Sequence, residues 1–199
     1  MNATDEARSA PPAAGPRAEA VHAKDLASMA VVLSGAAIAW FGWGMQGGLV
    51  QSALIAGMIA SGLALMAAIA VNRTMAAPPT LAIDPAARRI YWVAVAVEVV
   101  MIVGGAFVLA GTGNGQWLST WTAFVMGVHF VPLARPFGAP ILKLTAVACV
   151  IVVALAVWAG LAGWAPAPTI AGAGTGLVLL GFGIALIGSA RQAVTHAER

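Results

Sequence analysis

An all-α integral membrane bundle of six helices, with both termini cytoplasmic, is the fold class this sequence predicts. Three observations carry it. Apolar residues make up 61% of the 199 residues and charged residues 9%, whereas a soluble domain carries about a quarter charged residues. Apolar runs of about 20 residues recur, each able to cross roughly 30 Å of hydrocarbon. The basic residues, finally, fall only in alternate connectors, as expected when positive charge stays on the cytoplasmic face.

In chain order, residues 1–25 hold Ala, Pro and mixed charges without apolar periodicity, and read as a disordered cytoplasmic tail that includes His22. A membrane domain over 26–189 follows, with spans at about 26–45, 50–71, 90–110, 117–134, 141–161 and 169–188, and a cytoplasmic tail at 190–199. Trp40-Phe41-Gly42-Trp43 reads as an interfacial aromatic anchor, and Gln46-Gly47-Gly48 as the first turn. Pro78, Pro79 and Pro85 exclude one regular helix through the second connector. Asp84-Pro85 has the form of an N-cap followed by proline at the first helical position, so the third helix is expected to begin ahead of the bilayer. Gly111–Gln116 is a tight turn, and Pro140 suits the start of the fifth span.

The ten Lys and Arg residues test this arrangement. Arg8, Arg17 and Lys24 precede the first span; Arg73, Arg88 and Arg89 lie in the second connector. Arg135 and Lys143 flank the fourth, and Arg191 and Arg199 follow the last span. The first, third and fifth connectors carry none. A wrong span count would scatter them. The abundance of Ala, Gly and Arg is common in GC-rich bacteria, so the expected home is a bacterial cytoplasmic (inner) membrane.

Composition also excludes. The net charge of +3 sits in short loops and forms no basic soluble face, so no nucleic acid is expected as a partner. A single cysteine, Cys149, allows no intrachain disulfide and reads as a small core residue. No metalloprotease, nucleophile-elbow, phosphate-loop or dinucleotide motif occurs. An enzyme is therefore the weakest class, as one acting on a lipid or quinone near the cytoplasmic leaflet.

One feature points to function. Glu98 is the only acid deep in an apolar run and His129 the only histidine in one. Glu98 lies nine residues after Arg89, roughly 13 Å along a helix. His129 lies six residues before Arg135, roughly 9 Å from the same face. In an antiparallel hairpin the two therefore lie at similar depth. A charge near the bilayer centre costs about 2.5–3.5 kcal/mol, so such groups face the bundle and take a partner. A carboxyl beside an imidazole can share a proton, hold a small solute or lock two helices.

Helical spacing places Thr122, Val125, Met126 and Leu133 on the His129 face, and Tyr91, Ala94, Val95, Met101 and Gly105 on that of Glu98. Pro132 cannot donate to the Val128 carbonyl, which frees an acceptor beside His129. Arg135 and Lys143 are candidate anion or headgroup contacts. Two ligands are too few for zinc, and one histidine gives haem a single axial ligand, so no metal and no cofactor is expected. In the last span Gly172 and Gly176 form one GxxxG, a signal for close helix packing or dimerisation.

At Gly127-Val128-His129-Phe130-Val131-Pro132-Leu133-Ala134-Arg135 the chain resembles a group of small bacterial multi-pass membrane proteins. These are similar in a G-x-H-F-x-P-L-A segment late in one helix, with a Glu one helix earlier. The resemblance covers mainly the third to fifth spans and implies the position of a site, with no activity attached.

Two functions stand at this point. In one, the pair binds or moves a small solute or a proton; a pathway for moving it would be small in one protomer and favours a homodimer. In the other, a structural or stress-related membrane protein uses the pair to stabilise its bundle. The lipid bilayer is the expected partner in both.

Overall fold

A computed structural model of the chain describes residues 15–45 and 49–197. Among these residues the fold is all-helical: α1 (Pro16–Trp43), α2 (Leu49–Thr74), the short α3 (Thr80–Ile83), α4 (Pro85–Gly111), a 3-10 turn (Gly115–Trp117), α5 (Leu118–Leu133), α6 (Ile141–Leu161) and α7 (Ala167–Ala197). Five helices, α1, α2, α4, α6 and α7, are long and apolar enough to cross a membrane. The 16 residues of α5 give a rise of about 24 Å, shorter than the rest.

Two ends differ from the sequence reading. Helix α1 begins at Pro16, so residues 16–25 are helical, in place of the disordered tail expected over 1–25. Residues 1–14 lie outside the described residues, as does the turn at Gln46–Gly48. Tertiary bonds explain the early start. Lys24 Nζ donates to the Asn72 carbonyl (2.8 Å) and the Met75 carbonyl (3.2 Å), capping the end of α2. Asp25 is buried and accepts from both the backbone N–H (2.9 Å) and the hydroxyl of Thr80, at the start of α3. Two adjacent side chains thus pin the second connector to α1. At the other terminus, the segment expected as a tail from residue 190 continues α7 to Ala197.

Other local signals act as expected. The Asp84 side chain accepts from the Ala86 N–H at 2.8 Å, with Pro85 opening α4. Helices α4 and α6 end alike: Gly113 (φ +73) and Gly163 (φ +69) take the left-handed conformation. The next residues, Asn114 and Trp164, donate back to the carbonyls of Leu109 (2.7 Å) and Ala159 (2.9 Å), a closure that favours glycine.

Helix α7 is central and packs against α1, α2, α5 and α6. Its glycines set the spacing to α1. A Cβ on Gly172 would overlap the Gly44 nitrogen, and one on Gly176 would come within 2.9 Å of the Phe41 ring. The GxxxG therefore packs inside the chain, and its glycines are already occupied by α1. Phe41 also lies against Gly57 of α2. Trp40 and Phe41 are buried, and Trp40 Nε1 donates to Met126 Sδ at 3.3 Å. The expected aromatic anchor is thus mostly core, with only Trp43 turned outward.

Candidate functional site in the groove between α4 and α5

Helix α4 is peripheral and packs mainly on α5. Two features hold it there. Gly105 leaves room for the Trp121 ring, which a Cβ would overlap. The indole Nε1 of Trp121 donates to the Met101 carbonyl at 2.8 Å. On the far side of α5, Gly127 faces the buried Cys149 of α6, whose Cβ lies 2.8 Å from where a glycine Cβ would stand. One glycine at each interface, Gly105 on α4 and Gly127 on α5, lets the neighbouring helix approach.

One turn from Met101, Glu98 faces His129. His129 Nδ1 and Glu98 Oε2 are 3.4 Å apart, with the histidine side chain 10% and the glutamate 21% exposed. The distance puts the groups in contact, but Nδ1 is buried and has no hydrogen-bond partner. Ion-pair distance and hydrogen-bond alignment therefore disagree here. At 3.4 Å the contact is longer than an ordinary N–H···O bond and is not aligned as one, so the pair is apposed without being closed. A buried polar atom left in this state costs about 1–3 kcal/mol.

The pair lines a cavity of about 490 Å³ between α4 and α5. Its remaining walls are apolar apart from Arg89, with Val93, Ala94, Val97, Met101, Phe124 and Val128 the main contributors. Pro132 lines it beside His129, and α5 continues through Pro132 to Leu133.

The sequence candidates divide. Glu98, His129 and Pro132 meet at one cavity. Thr122 is outside it; buried, it donates to the Leu118 carbonyl of its own helix at 2.9 Å. Arg135 is exposed and lines a different groove, with Arg17, His22, Asp25 and Thr80. Lys143 is exposed and lines neither. The basic residue at the Glu98 cavity is instead Arg89. It continues the ridge Arg89–Val93–Val97–Met101 along one flank of α4, and that spacing points to no cavity until α5 packs beside it.

Among the described residues no third His, Cys, Asp or Glu joins the pair in a cluster able to hold a metal ion. What the arrangement offers is a carboxyl and an imidazole, able to exchange a proton or to hydrogen-bond a small polar group, at the wall of an apolar groove. Comparison with protein-family models, curated proteins and solved structures yields no match for this chain.

Proposed function

We propose that the chain is a six-span protein of a bacterial inner membrane that binds a small molecule at Glu98 and His129. The observation that carries this reading is the open pair: the groups touch at 3.4 Å, yet Nδ1 lacks a partner. A pair kept only to lock two helices would gain most by closing that bond. A carboxyl that is part exposed at a cavity and not closed onto its neighbour is instead suited to meeting a ligand.

The span count is supported by the 3-10 turn ahead of α5. Its three residues add about 2 Å each and bring the Gly115–Leu133 segment to about 30 Å. Orientation is supported by the second groove, where Arg17, Thr80 and Arg135 come together. These belong to the N-terminal segment, the second connector and the fourth, the three basic regions that a cytoplasmic N-terminus would place on one side.

A second reading, in which the pair stabilises the bundle, is favoured by the sparse packing of α4, since any tie to α5 then counts. Glu98→Leu and His129→Leu separate the two. Under the binding reading, the purified protein carries a small molecule detectable by native mass spectrometry, either substitution lowers its occupancy at least tenfold, and the thermal midpoint of the protein stripped of that molecule is unchanged. Under the bundle reading, both substitutions lower the midpoint and leave any bound molecule unchanged.

A further inference from the structure

The cavity at Glu98 opens through the flank of the bundle. Val93 and Val97 on α4 and Val128 on α5 line it and are 57%, 57% and 47% exposed. They lie along the flanks of their helices, and with Arg89 and Ile90 lining the same cavity the mouth runs from the start of the expected third span into the part that would face hydrocarbon in a membrane. The walls beside the pair are apolar and offer water no chain of partners. A ligand entering here comes from the lipid phase.

The polar end of that ligand follows from what the pair lacks. The only polar partner of the Glu98 carboxyl among the described residues is the misaligned His129 ring. In hydrocarbon no water completes its hydrogen bonds. A hydroxyl is the small group that fits the pair in either protonation state. It donates to a carboxylate, and it accepts from a carboxylic acid or an imidazole N–H. An anionic head would be held by Arg89 but would meet Glu98 as a like charge.

We propose that this groove takes a lipid-soluble molecule with an apolar body and a single hydroxyl, entering sideways from the bilayer and hydrogen-bonding to Glu98 beside His129. This deepens the reading of the pair as a binding centre and rests on it. The volume of about 490 Å³ lies within the range of small-molecule sites.

Three probes of similar size test it on the full chain in lipid nanodiscs: 4-nonylphenol, nonylbenzene and decanoate, titrated by quenching of tryptophan fluorescence. The expected result is at least tenfold tighter binding of nonylphenol than of nonylbenzene. That preference falls to within twofold in Glu98→Leu. Val97→Trp, which fills the groove from an exposed position, abolishes binding of both and serves if Glu98→Leu does not fold. Equal binding of nonylphenol and nonylbenzene overturns the proposal, since the pair then takes no part. So does a preference for decanoate that is lost in Arg89→Gln, which assigns the groove to an anionic amphiphile. If nonylphenol is not preferred but the co-purifying molecule is still lost in the pair variants, this inference fails and the binding centre stands. If the pair variants change neither, both fall.

Discussion

Helices α7 and α4 are both long, apolar and glycine-containing, yet they differ in what they touch. Half of the spanning stretch of α7 is buried (50%), against 6% for α4. Hydropathy therefore identifies a span without saying what it packs on. In lipid no hydrophobic force draws helices together, and close contact comes from small residues that let backbones meet. Helix α7 has such a face, with Gly172 against Gly44, Gly176 against Phe41 and Gly183 against Ser34. Helix α4 turns Val93, Val97, Val100 and Phe107 outward and meets α5 through Gly105, the Trp121–Met101 bond and the Glu98–His129 contact. Among the five membrane-length helices, the candidate site thus sits on the one with the smallest buried share, where local opening costs least.

Substitutions at glycine give the sharpest break of this comparison. At Gly172 a side chain would meet backbone, overlapping the Gly44 nitrogen and lying 2.8 Å from the Trp40 carbonyl oxygen, and neither can rotate away. Gly172→Val is expected to cost about 3 kcal/mol or more, read as a fall in the thermal midpoint in detergent. At Gly104 of α4 an added Cβ would have nothing within 4 Å. Gly104→Ala should therefore leave stability unchanged or raise it by up to about 1 kcal/mol. Equal losses at the two sites would show that α4 is as tightly packed as α7.

Next in size is Asp25→Ala, which leaves the Thr80 N–H and hydroxyl without their acceptor. Loss of these buried bonds should cost about 1–3 kcal/mol. Proteolysis should then cut the second connector faster while leaving α6 intact. Smaller still is Trp121→Phe, which removes the indole donor to Met101. A neutral hydrogen bond contributes about 0.5–1.5 kcal/mol. Amide exchange should rise along α4 and stay unchanged along α7; a rise in both would mean that α4 is not an independent unit.

The same contrast explains what can be read without the structure. The rise of a helix is fixed, so residue counts from Arg89 and Arg135 are enough to put Glu98 and His129 at one depth, and they touch. Asp84 with Pro85 is likewise a local signal, decided within one turn of chain. Lys24 and Asp25 are not legible, because their partners at Asn72, Met75 and Thr80 lie about 50 residues away and no periodicity points to them. The hydropathy pattern shows charges ending a tail where packing makes a helix. Trp40 and Phe41 mislead for a related reason: aromatics near a span end suit an interface or a core equally, and the glycines that receive Phe41 are on other helices. Arg89 reads as a topology marker, and only the packing of α4 on α5 brings it to the cavity that holds Glu98.

The smallest expected effect tests what covers α4. Phe107 is 76% exposed, on the outward side of a helix whose partner lies opposite. In a bilayer its ring exchanges contact with lipid for contact with lipid, so Phe107→Ala should change stability by no more than about 0.5 kcal/mol. Its measurement is the thermal midpoint at two protein concentrations in the same detergent. A loss of several kcal/mol that depends on concentration would mean that a second copy buries this face, because removing a large aromatic from a packed contact costs about 3–5 kcal/mol. With the GxxxG of α7 already used within the chain, such a dimer would have to form through α4. A null effect at Phe107 is the result expected of a helix face that meets only lipid.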